Sequence, residues 1–152
     1  MNGKRKGLSL PELLLVALIV GIMAAIGIVA LQIATVNKMQ ADSVGRLLAT
    51  NLRMTRQFAI TDAAVNVQGY ALKMAGTTHY YGYQIIDLSD KSIVDSQTID
   101  PKIICTGDSI FKFGPLGNLL SGSGTQLQLV SGSKIYTITI ISGTGAVEFS
   151  EN

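Results

Sequence analysis

Tryptophan is absent from these 152 residues, cysteine and histidine occur once each, and proline occurs three times. A single cysteine excludes an intrachain disulfide and any cysteine-rich metal cluster. Cys105, flanked by Ile103 and Ile104, reads as a small buried hydrophobe and not as a nucleophile or ligand. His79, in "TTHYYGY", has no second histidine or cysteine to share a metal with, and a serine triad built on it would have no nominated partners. Glycines are plentiful, yet no Gly-x-x-x-x-Gly-Lys-Ser/Thr and no Gly-x-Gly-x-x-Gly between a strand and a helix occurs, so neither phosphate cradle is present. Asp87, Asp90, Asp95 and Asp100 follow no EF-hand spacing and read as solvated loop carboxylates. No enzyme, cofactor or metal is expected.

Charge is scarce as well, at 14% of residues, and its sign is unevenly placed. The formal charge is +2, but removing Lys4, Arg5 and Lys6 from the twelve basic residues leaves nine against ten acidic ones. The basic character therefore sits at the front, and Arg46, Arg53, Arg56 and Lys134 read as a scattered, solvated set. Phosphate recognition needs clustered cations, so a nucleic-acid partner is not expected.

What the chain does have is an uncharged run from Leu13 to Leu31, 19 residues that would span about 30 Å as a helix. The preceding Lys4-Arg5-Lys6 predicts an inner-membrane helix over about 13–31 with the remainder outside the cytoplasm. Helical pattern continues to about Ile60, with Val44, Leu47, Leu48, Asn51, Met54, Thr55 and Phe58 recurring at three- and four-residue steps. Beyond Asp62 the sequence breaks into short runs, "HYYGYQIIDL", "KIIC", "SIFKFG", "TQLQLV" and "KIYTITII", separated by Gly, Ser, Asp and Pro. In the last, Tyr136, Ile138 and Ile140 alternate with Thr137 and Thr139, the period of a half-buried strand. "SGSK" reads as a hairpin turn, "GPLGN" as a loop, and a final strand is expected from about Ala146 to Phe149. The expected class is α+β, a helix over 8–60 followed by an antiparallel β domain over 61–152. Tyr80, Tyr81 and Tyr83 are expected to cap its core and a sheet edge.

Glu12 stands alone at the threshold of the apolar run. Ser9-Leu10-Pro11-Glu12 fits a capping box, with Pro11 tolerated in the first turn. Capping leaves the cationic tail and Gly7 unexplained. The ensemble "KRKG" and "LSLPELLLVALIVGIMAAIG" resembles the class III signal sequence of type IV pilins and type II secretion pseudopilins: a basic leader ending in Gly7, a first mature residue Leu8 where Phe is more usual, and Glu12 four residues later. The resemblance implies a leader over 1–7, cut between Gly7 and Leu8 by a prepilin peptidase that also methylates the new amine of Leu8. It further implies assembly with other pilin or pseudopilin subunits through the helix, Glu12 of one subunit meeting the Leu8 amine of the next. Gly21 and Gly27 take the place of the helix-breaking Pro of many major pilins, and permit either local stretching or close packing.

The later half resembles the GspH/FimT group of minor pilins and pseudopilins, through "YYGYQI" and "FGPLGNLLSGSGTQLQLV…YTITIISGTGAVEF". That resemblance implies a long helix packed on an antiparallel β-sandwich. The expected function is a structural subunit that primes or caps a pseudopilus or pilus. The alternative is a FimT-like DNA-binding minor pilin of natural transformation. Some members of that kind end in Gly-Arg-x-Arg, where this chain has Gly145-Ala146-Val147-Glu148.

Overall fold

The computed structural model describes residues 10–132 and 134–151, and the side chains of all of these but 25–38. Helical backbone, α1, covers Leu10–Thr61. Eight strands follow: β1 (Tyr70–Ala75), β2 (Gly82–Asp87), β3 (Ile93–Thr98), β4 (Ile104–Gly107), β5 (Ile110–Phe113), β6 (Gln126–Ser131), β7 (Lys134–Ile140) and β8 (Val147–Glu151). The protein is α+β, with two antiparallel four-stranded sheets ordered β3-β2-β1-β5 and β4-β6-β7-β8. It divides into two compact units, Met1–Val36 and Asn37–Asn152, and α1 contributes to both.

Within the first unit, every described side chain from Leu10 to Ala24 is exposed. In the second unit one core joins the helical segment 37–61 to both sheets: Leu48 and Leu52 lie in it with Leu72, Ile85, Phe111, Phe113, Leu127, Leu129, Tyr136 and Ile138. Leu47, expected in the buried stripe, is 50% exposed, because it stands about 100° round the helix from Leu48. Ala41, Leu52 and Ala59 complete the stripe instead. Asn51 remains on it, buried, and donates through Nδ2 to the Tyr83 hydroxyl at 2.6 Å. Leaving such a pair half made costs about 1–3 kcal/mol.

The strand periodicity holds where one face is covered. Leu127 and Leu129 are buried while Gln126 and Gln128 are exposed, and Tyr136, Ile138 and Ile140 face the core as expected. Thr137 is also buried, since β7 is an inner strand flanked by β6 and β8. Two strands escape the sequence pattern. In β1, Tyr70, Ala71 and Leu72 are buried in succession, because the small Ala71 is sheltered between the neighbouring strands β2 and β5 on a face where Lys73 is exposed. The Asp87–Asp100 stretch, expected as a loop, contains β3, an edge strand whose polar residues need no buried face.

Candidate functional site

Three residues carry the expected processing and assembly chemistry. Gly7 and Leu8 lie outside the described residues, as does Ser9 of the capping box. Glu12 occupies the first turn of α1 and is exposed, with Pro11 beside it where a missing N–H costs no intrahelical bond. Beyond Glu12 comes uncharged apolar surface: Leu13, Leu14, Leu15, Leu18, Val20 and Met23 are all more than half exposed. Nothing lies within 4 Å of where a Cβ on Gly21 would stand, while Gly27 falls outside the described side chains. Among the described residues no helix is long and apolar enough to cross a membrane. Of the expected span 13–31, the side chains of 25–31 are outside that description.

The arginines of the second helical segment are on a solvated side as the sequence suggests, Arg46 and Arg53 exposed and Arg56 half-buried, but each also has a partner. Arg53 donates through Nη2 to the Val147 carbonyl at 2.9 Å, and Arg56 through Nε to the Gly117 carbonyl, also at 2.9 Å. Arg46 pairs with Asp42 at 2.9 Å and lies over the Phe149 ring, 5.4 Å from its centroid. The sequence spacing carries the signal, since steps of seven and three place 46, 53 and 56 along one flank of a helix. The strand-turn-strand from β7 to β8 and the "GPLGN" loop are thus held to that flank. Their glycines make the approach possible: Gly145 has φ +64°, and a Cβ there would collide with the same Gly117 carbonyl that Arg56 holds. Gly45 similarly admits Phe149, which would stand 2.6 Å from an added Cβ. The 145–148 stretch contributes Ala146 and Glu148 but no cation, and Lys134 is paired with Glu151 at 2.6 Å.

The remaining polar residues have local structural work. Cys105 is fully buried, and burial pushes its thiol up to about 12, far from a reactive thiolate. His79 is exposed in the turn between β1 and β2. Among the described residues no group of three or more His, Cys, Asp and Glu could hold a metal. Asp87 accepts from the Asn66 amide, the Ser89 N–H and the Ser89 hydroxyl. Tyr70 donates to Asp62 at 2.7 Å, and that bond, together with burial, pushes its hydroxyl up to about 12. Tyr80 and Tyr83 enter the core, whereas Tyr81 is 65% exposed.

No family model matches the chain, and no curated protein or solved structure matches it.

Proposed function

We propose that this chain is a minor pilin or pseudopilin, a structural subunit that primes or caps a type II secretion pseudopilus or a type IV pilus. The observation that carries the proposal is the spacing of Gly7, Leu8 and Glu12 ahead of an exposed apolar helix. A surface from Leu13 to Met23 without one charge is matched to lipid or to other apolar helices. A carboxylate costs about 2.5–3.5 kcal/mol at the centre of a membrane helix and less near its end, which favours a charged partner for Glu12. The Leu8 amine of a neighbouring subunit supplies that charge, and a low dielectric strengthens the attraction.

In this reading prepilin peptidase removes residues 1–7 and methylates Leu8, the apolar helix anchors the subunit in the inner membrane, and the rest stands outside the cytoplasm. One long helix laid on an antiparallel β-sandwich is part of the proposal. Support comes from the shared core of segment 37–61 and both sheets, and from the arginine bonds to Gly117 and Val147. The DNA-uptake alternative draws on the same leader, but would need a cation cluster where this chain has Ala146 and Glu148.

Mass spectrometry of the protein from its native host tests the proposal. The expected chain begins at N-methylated Leu8, and Gly7→Val retains the leader. A wild-type chain that keeps Met1 through Gly7 overturns it.

A further inference from the structure

We propose that the free edge of β3 accepts an extended, lysine-bearing peptide segment of another protein as a fifth strand, with one apolar side chain seated beside Tyr81. β3 ends the β3-β2-β1-β5 sheet, and Ile93 and Val94 on it are 57% and 47% exposed. Its inner bonds fix which residues face outward. The Ile99 N–H donates to the Tyr81 carbonyl, and Tyr83 and Ile85 lie opposite Gln97 and Asp95. In an antiparallel ladder this alternation turns the N–H and C=O groups of Ser96 and Thr98 away from β2, while Val94 lies at the register shift opposite Ile85 and Ile86. The Ser96 N–H agrees, since it is capped by the Asp95 carboxylate at 2.8 Å and not by a neighbouring strand.

A groove of about 180 Å³ lies on the sheet face next to this edge, lined by Ala75, Tyr81, Gly82, Gln84, Ser96 and Thr98 among others. Its floor follows from the register, which sets Ala75, Gly82 and Thr98 in one row across three strands. Gly82 is required there, because a Cβ would stand 2.6 Å from the Gln97 carbonyl oxygen. Open backbone groups supply affinity in strand addition, and an adjacent pocket supplies side-chain selectivity. The groove is lined without a charged side chain, which suits an apolar occupant.

Charge selects the rest of the segment. Asp90, Asp95 and Asp100 lie on β3 or at its flanks against Lys91 and Lys102. A strand carrying lysines at alternate positions would place them opposite this acidic rim. Its carbonyl would replace Asp95 on the Ser96 N–H and free that carboxylate for a lysine. The edge, the groove and the acidic rim are independent of the leader and of Glu12, so the inference does not rest on the pilin reading.

The probe is a fluorescent ten-residue peptide alternating lysine and valine around a central phenylalanine, titrated by anisotropy against the full chain in nonionic micelles. A glutamate-for-lysine version is expected to bind at least about tenfold more weakly. Ser96→Pro removes the outward N–H together with its local bond to Asp95 and the serine hydroxyl beside the groove, a substitution edge strands tolerate. It is expected to weaken binding at least about tenfold with little change in thermal melt, while Ser96→Ala, which keeps the N–H, is expected to bind as the wild type. Asp95→Asn is expected to weaken binding about threefold and to flatten its salt dependence. Independently of any variant, bound peptide should slow hydrogen exchange at the Ser96 and Thr98 amides. Absence of binding, equal binding of the glutamate version, or protection confined to other strands overturns the proposal. So does self-association through β3 that excludes the peptide, which would assign the edge to a second copy of this chain.

Discussion

Leu15 and Leu52 both lie in helical backbone, yet Leu15 is 58% exposed and Leu52 is fully buried. The contrast extends to their neighbours. From Leu10 to Ala24 no described side chain is buried, and the apolar residues run round the helix. From Asn37 to Thr61 one stripe enters a core and the flank beside it is held by Arg53 and Arg56. Burial of an apolar side chain contributes about 1.5–3 kcal/mol, so the second segment is stabilised by the chain's own sheets. Among the described side chains of the first segment, Leu10 to Ala24, none is buried, and the proposed assembly depends on that apolar surface.

Truncation tests that contrast at its largest. Leu52→Ala is expected to destabilise the second unit by about 2–5 kcal/mol, the range for a buried leucine that leaves a cavity. Leu15→Ala should change the same unfolding transition by less than about 0.5 kcal/mol. Denaturant unfolding of the full chain in nonionic micelles, followed by tyrosine fluorescence, reads both. Equal effects at the two positions would erase the distinction between the segments.

A second experiment sharpens the comparison at the far end of the buried segment, where Tyr70 donates to Asp62 just beyond α1. That hydrogen bond and the burial of the ring raise the Tyr70 hydroxyl from 10.0 to about 12. A pKa raised on folding means that the stabilisation is complete below pH 10. It is lost as pH rises through about 12, where the phenolate would face the carboxylate. Stability of the second unit is therefore expected to fall between pH 10 and 12. Tyr70→Phe should lower stability at neutral pH by about 1.5 kcal/mol and remove Tyr70's part of the alkaline loss. An unchanged alkaline profile in Tyr70→Phe would show that the Asp62 bond does not tie β1 to the helix end.

The two segments were also unequally legible in the sequence. An uncharged run and a one-sided stripe are both visible in the sequence, so helical backbone and most of the buried face of 37–61 could be read, along with Asn51 among the buried positions. Leu47 was misplaced because a stripe with polar members has blurred margins. Strands with one covered face, such as β6 and β7, followed the alternation, whereas β1 hid in a run of successive buried residues and β3 in a polar edge. The arginine bonds were invisible for a different reason. They end on the backbone carbonyls of Gly117 and Val147, and a carbonyl has no identity in a sequence. The β3 groove likewise depends on register, which places Ala75, Gly82 and Thr98 side by side although they are far apart in the chain.

The smallest effect on folding is expected where the proposed function is most concentrated. Glu12 sits exposed in the first turn, where a carboxylate favours the helix through its dipole by about 0.3–1 kcal/mol. Glu12→Ala should therefore leave the unfolding transition of residues 37–152 unchanged, and the helix start should be weakened only locally. Membrane insertion and cleavage at Gly7 should persist in the native host, because the apolar run and the basic leader are intact. Incorporation beside wild-type subunits should fall, since a helix entering the bundle out of register no longer loses a charge pair with the Leu8 amine. Glu12→Gln distinguishes the charge from its hydrogen-bonding shape, and is expected to assemble as poorly as the alanine variant. Normal assembly of Glu12→Ala together with failure of Ser9→Ala would assign Glu12 to helix capping alone and remove the register role from it.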